Sequence, residues 1–137
     1  MESMLATLRV SAAGMKAQGT RLRVIAENIA NADSLPSGPG DLPYRRKVVT
    51  FREALERSTG LSTVRIDTIG PDMSKLAKKH LPDHPAADAE GYVLAPNVDS
   101  LIEMMDMREA QRSYEANLGT IEASRAMITR TIDLLRS

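Results

Sequence analysis

Cysteine is absent from this chain of 137 residues, which excludes disulfides, thiolate metal sites and a cysteine nucleophile. Such a chain suits either a reducing or an oxidising compartment, and threading it unfolded from one to the other sets no disulfide trap. Aromatics make up only 3%, lean for a compact core. An excess of either charge is missing too: 18 basic and 18 acidic residues cancel. That balance argues against a nucleic-acid surface and against a polybasic membrane anchor. No apolar run approaches the ~20 residues of a membrane span, so direct membrane insertion is not expected. The N-terminus lacks the charged start and apolar stretch of a secretory signal. By standard signals the chain stays in the cytoplasm, although a specialised route without cleavage would leave no such mark.

What is present is a pair of heptad seams, one at each end. The first reads Leu5, Leu8, Ala12, Met15, Gly19, Leu22, Ala26 and Ile29 in alternating steps of three and four. The second reads Met104, Met107, Gln111, Tyr114, Leu118, Ile121, Arg125, Ile128, Ile132 and Leu135. A lone helix cannot bury such a stripe, so each must face another helix. Eight methionines and many alanines suit a slender seam. The expected fold is therefore mainly α with a small β segment, its long terminal helices paired as an antiparallel coiled coil. The expected divisions are 1–34 and 97–137 for the helices, and 35–96 for a linker and β-rich middle.

Ser3 is the candidate cap of the first helix, which is expected from Met4 to about Ala32. Gly14 and Gly19 inside it cost roughly 1 kcal/mol each relative to Ala. Either the helix tolerates them, or small residues there let a neighbouring backbone come close. Pro36, Gly38, Pro39, Gly40 and Pro43 make a turn-rich linker. Tyr44 to Phe51 reads as a strand, Glu53 to Arg57 as one helical turn, and Leu61 to Ile69 as a half-buried strand. Asp72 to Lys79 reads as a loop or turn, residues 81–87 as irregular, and Tyr92 to Ala95 as a third strand. Asn97, or a Ser100–Glu103 capping box, opens the second helix. No stop signal follows until Ser137. A helix of about 40 residues spans about 60 Å. Gln111 and Arg125 stand polar at its seam, where they either fix register or face solvent.

Little here suggests chemistry. His80 and His84 stand four apart, but Pro82 between them forbids the helix that would bring them together. Asp83, Asp88 and Glu90 read as a solvated acidic loop. Arg45–Arg46–Lys47 and Lys75, Lys78, Lys79 lack interleaved aromatics for stacking bases, and read as solvated faces or inter-subunit ion-pair partners. No phosphate loop or nucleophile elbow occurs, so neither enzyme activity nor a cofactor is expected. Asn28 and Asn31 are unusual on adjacent helical turns. They reflect either fraying at the helix end or amide bonding to a partner backbone.

Ser11-Ala-Ala-Gly-Met-Lys-Ala-Gln18, Arg21-Leu22 and Ala26-Glu-Asn-Ile-Ala-Asn31 together resemble the N-terminal motif of bacterial flagellar rod and hook proteins. Pro43-Tyr-Arg-Arg-Lys47 with Phe51, Ala87-Asp-Ala-Glu-Gly-Tyr-Val93, Pro96-Asn-Val-Asp99, and Glu103-Met104 with Arg112-Ser-Tyr-Glu-Ala-Asn117 extend the resemblance over nearly the whole chain. Residues 43–99 point to the proximal rod subunits of that family. The stretch His80-Leu-Pro-Asp-His-Pro85 departs from it by lacking a Tyr and a Gly. The resemblance implies a structural subunit of a hollow drive shaft, exported through the flagellar type III apparatus without cleavage. Implied partners are copies of itself, other proximal and distal rod subunits, basal-body base proteins and the export apparatus. It favours the bonding reading of Asn28 and Asn31. Expected packing and inter-subunit residues are Leu8, Ala12, Gly14, Met15, Gly19, Leu22, Ala26, Asn28, Ile29 and Asn31 on the first helix. On the second they are Met104, Met107, Tyr114, Asn117, Leu118, Ile121, Ile128, Ile132 and Leu135. A generic coiled-coil adaptor forming a small closed oligomer is the alternative.

Overall fold

A computed structural model describes residues 2–137. Two long helices, α1 (Glu2–Ala30) and α2 (Ser100–Arg136), enclose a β-rich middle in the sequence. That middle has β1 (Lys47–Glu56), β2 (Leu61–Pro71), β3 (Ala77–His80) and β4 (Tyr92–Ala95), arranged as two two-stranded sheets, β1–β2 and β3–β4. β3 and β4 are antiparallel, with Ala77 opposite Ala95 and His80 opposite Tyr92.

The chain divides into two compact units. One holds residues 2–22, 50–68 and 108–137, and the other 23–49 and 69–107. In the first, the buried positions are small or hydroxylated: Ser11, Gly14, Ala17, Thr63, Ala110 and Ser124. With so little side-chain volume, backbones must lie close to exclude water. In the second, Val24, Ile25, Val93 and Ala95 are buried together with the polar Asn28 and Glu103.

Local expectations are corrected at several points. Ser3 lies within α1 and accepts from the Thr7 hydroxyl instead of capping. α1 stops at Ala30, where the Glu27 carbonyl accepts both the Asn31 backbone N–H at 3.0 Å and the Asn31 side-chain amide at 2.8 Å. Residues 53–56 are strand, not a helical turn. Cross-strand pairing decides this against the helix-favouring Glu-Ala-Leu-Glu run. The Thr50 and Thr68 hydroxyls meet at 2.6 Å, and Arg65 reaches Glu56 at 3.3 Å. Gly60 has φ 70°, a conformation that suits glycine, where the hairpin turns back and the Gly60 N–H donates to the Glu56 carbonyl.

The segment 72–79 is not wholly loop. Its end is β3, four exposed residues with no alternation, held in strand by β4. The cap of α2 is Asp99, whose carboxylate accepts from the Leu101 backbone at 3.0 Å. Asn97 and Glu103, both candidate caps from sequence, are engaged elsewhere.

Candidate helix-packing interface

The first unit brings α1 and α2 together through small residues. A Cβ on Gly14 would meet the Asn117 side-chain nitrogen at 2.8 Å, and one on Gly19 would meet the Tyr114 ring at 3.8 Å. Arg21 reaches Glu109 at 3.6 Å. These contacts join residues 14–21 of α1 to residues 109–117 of α2. The covered stripe of α2 in this unit runs through Ala110, Tyr114, Asn117, Ile121, Ser124 and Ile128.

That stripe corrects the seam read from sequence. Tyr114, Ile121 and Ile128 lie on it, but their companions are the small residues Ala110, Asn117 and Ser124, not Gln111, Leu118 and Arg125. Leu118 is 38% exposed, and Ile132 and Leu135 are exposed as well. On α1, Leu8, Met15, Gly19 and Leu22 are half-buried and Gly14 is buried, while Ala12 faces solvent. Ser11 and Ala17 are buried in this unit and were missed. Apolar patterning favours the bulky column, whereas close helix approach selects the small one. A run of small residues seven apart (Ala110, Asn117, Ser124) was the available signal.

Gly14→Ala tests this contact. The Asn117 amide also donates to the Ser113 carbonyl at 3.0 Å, so it cannot retreat without losing that bond. Alanine's helix propensity, about 1 kcal/mol, favours the substitution, yet overpacking costs about 1–3 kcal/mol. Net destabilisation is expected in the native background, and net stabilisation once Asn117 is also changed to Ala. Urea unfolding of the four proteins of this cycle checks it; additive effects would contradict the contact.

In the second unit a polar cluster replaces a seam. Asn28, fully buried, has every amide position used. Its Oδ1 accepts from the Tyr44 hydroxyl at 2.6 Å and from the Lys47 N–H at 2.9 Å. Its Nδ2 donates to the Lys47 carbonyl at 2.9 Å and to Glu103 at 3.4 Å. The side-chain amide bonds both backbone groups of Lys47, as a neighbouring strand would, and so marks where β1 starts. The backbone that Asn28 bonds is thus its own chain's. Asn31 instead closes α1, and Ser34 donates to its Oδ1 at 3.2 Å.

Glu103, 0% exposed, is the charged centre of the cluster and was not singled out from sequence as such. Arg46 Nε donates to its carboxylate, and the same guanidinium reaches Asp72 at 3.2 Å and Asp106 at 3.6 Å. Burial by itself would lower the Arg46 pKa, but hydrogen bonds and charge from Glu103 and Asp72 outweigh it and raise it. Tyr44 is also raised, first by burial and then by Glu27 and Glu103. The first basic triplet is therefore an internal tie and not a solvated face. Arg45 donates to the carbonyls of Asp72 and Ser74, and Lys47 pairs with Glu27 at 3.2 Å. Asn97 accepts from the Arg46 N–H at 2.8 Å and donates to the Asp72 carbonyl at 2.9 Å. Val24 and Ile25 pack into this unit, with Ile29 and Met107 half-buried and Ala26 and Met104 exposed.

Hydrogen bonds from Ser74, then the Arg46 guanidinium, hold Asp72 below the ordinary carboxylate range. The unfolded chain therefore takes up the proton first as pH falls. The contribution of Asp72 is complete above about pH 5 and drains away below about pH 4. An NMR pH titration following the Ser74 backbone amide, which donates to the Asp72 carboxylate, is expected to show a midpoint below that of an ordinary aspartate; a midpoint above it would contradict the junction.

The remaining candidates make simple contacts. His80 meets the Tyr92 ring edge-on at 4.9 Å, and His84 Nδ1 accepts from the Ala86 N–H at 3.0 Å. Lys79 reaches Asp33 at 3.4 Å. Among the described residues, no helix is long and apolar enough to cross a membrane.

Long terminal helices flank a small β segment in the sequence, and close packing of small residues and a buried polar cluster hold the two units. Comparison with known families identifies the class, a structural protein of the flagellar rod. "Flagella basal body rod protein" matches residues 8–34, and "Flagellar basal body rod FlgEFG protein C-terminal" matches residues 89–134. The flagellar basal-body rod protein FlgC of Agrobacterium fabrum is 45% identical over 137 residues, covering 100% of this chain and 99% of the relative. FlgC of Salmonella typhimurium is 35% identical over 91% of this chain and 92% of its own length; that of Bacillus subtilis is 33% identical over 93% and 95%. The chain belongs to the FlgC family of flagellar basal-body rod proteins.

Proposed function

We propose that this chain is a structural subunit of the flagellar basal-body rod, with terminal helices paired as an antiparallel coiled coil that packs beside its neighbours. The observation that carries this reading is the double use of α2. Ala110, Tyr114, Asn117 and Ile121 are covered within the chain, while Leu101, Met104, Leu118 and Ile132 stay exposed. A second apolar column left uncovered is what side-by-side packing needs. Family membership supports the basal body as the location, and the sequence and fold support a part that is structural and not enzymatic.

The neighbours are copies of itself, other proximal and distal rod subunits and the base proteins, enclosing the export channel and transmitting torque. Helices 1–34 and 97–137 form the packing layer, and residues 35–96 the smaller β-rich region. Export proceeds through the flagellar type III apparatus without cleavage. The small, polar packing of the first unit suits a chain that must unfold for passage, because little apolar surface is buried there.

Leu118→Asp is the direct test. Leu118 is exposed, so the monomer is expected to keep its fold, with melting unchanged within about 0.5 kcal/mol. In the rod the new charge would be buried without a partner, costing several kcal/mol per interface. Basal bodies from such a strain are expected to keep their rings but lack mature rods by electron microscopy. Normal rods and swimming would overturn the role of this column. A closed, stable oligomer of the purified chain would favour an adaptor instead.

A further inference from the structure

The first unit also holds a hollow of about 360 Å³ between α1 and the β1–β2 hairpin. Lys16, Arg52 and Arg65 line it, with Glu56 as the one carboxylate. Glu56 is already engaged by Arg65 at 3.3 Å. Neither Lys16 nor Arg52 has an ion-pair partner among the described residues. Ala17 and Val64 supply an apolar part of the wall. Thr63 is in the same lining, 3% exposed, and its hydroxyl is the buried side-chain oxygen left without a hydrogen-bond partner among the described residues. Buried polar groups are nearly always paired, so an orphan beside a hollow with surplus positive charge points to an occupant.

We propose that this hollow binds a carboxylate carried on a short aliphatic stem. Arg52 and Lys16 would take the charged oxygens, Ala17 and Val64 the stem, and Thr63, after rotation about χ1, would donate its hydroxyl. A cation alone is disfavoured by the net positive lining, and a fully apolar guest would leave Thr63 unpaired. The carboxylate comes either from an acidic side chain of an adjacent subunit or from a small molecule free in solution.

The test is an NMR titration of the full chain with sodium propionate, against sodium chloride at equal ionic strength. Saturable shifts at Lys16, Arg52, Thr63 and Arg65 are expected with propionate only. Arg52→Gln should weaken binding about tenfold, the scale of one charge-assisted hydrogen bond. Thr63→Val should also weaken it, while leaving the melting temperature unchanged or higher, because an unpaired buried hydroxyl is removed. Equal shifts with chloride, native affinity in Arg52→Gln, or a lower melting temperature in Thr63→Val would each overturn the site. Given binding, loss of swimming in an Arg52→Glu strain with a folded subunit assigns the carboxylate to a neighbour in the rod. Normal swimming assigns it to the free molecule.

Discussion

Arg46→Met is expected to destabilise the protein by about 3–5 kcal/mol, the cost of leaving a buried carboxylate without its partner. The carboxylate is that of Glu103, fully enclosed and held by Arg46 and Asn28. A position on the first turn of α2 gives some help from the helix dipole, but that is worth only about 0.3–1 kcal/mol. It cannot offset the loss of a guanidinium. For a chain of this size the melting temperature should fall by roughly 10–15 °C. Changing Glu103 to Leu in the same protein should recover most of the loss, because a buried pair replaced on both sides by apolar groups is often near neutral. Thermal unfolding of the two single variants and the double variant decides it. A double variant that loses the sum of the single effects would show that the pair is not the coupled unit described.

Asn28→Ala should cost about 2–4 kcal/mol, since four groups lose a partner at once. These are the Tyr44 hydroxyl, both backbone groups of Lys47 and the Glu103 carboxylate. The expected signature is local: amide exchange at Lys47 should speed up more than tenfold as the start of β1 loosens. Asn28→Asp separates shape from chemistry. It keeps the acceptor and the size, loses the donor, and sets a second carboxylate beside Glu103. Like charges at that distance oppose each other, so it should be at least as damaging as Ala despite being nearly isosteric. Tyr44→Phe removes one hydrogen bond and should cost only about 1 kcal/mol. Native exchange at Lys47 in Asn28→Ala would sink the clamp.

Some of this was legible before any coordinates. Heptad spacing and the Pro/Gly cluster located both helices and the linker, and Asn28 stood out as a costly residue for a helix interior. Other features were not legible, because they depend on partners distant in sequence. Residues 53–56 have helical propensity and become strand through pairing with β2. β3 carries no pattern of its own and exists because β4 lies beside it. The packed stripe of α2 falls one position from the bulkiest column, because helices that approach closely choose Ala110, Asn117 and Ser124 over Leu118.

The sequence by itself determined that this is a cysteine-free chain with a long helix at each end and apolar residues recurring along both. Periodicity and composition act locally, so they are readable along the chain. Tertiary structure alone decided which column faces inward, that Asn28 serves as a strand partner, and that Arg46 neutralises Glu103. The last two rest on groups brought within hydrogen-bonding distance across 19 residues of sequence for Asn28 and Lys47 and 57 for Arg46 and Glu103. Spacing along the chain does not encode such distances, and the cost of burying an unpaired polar group enforces them once the fold has formed.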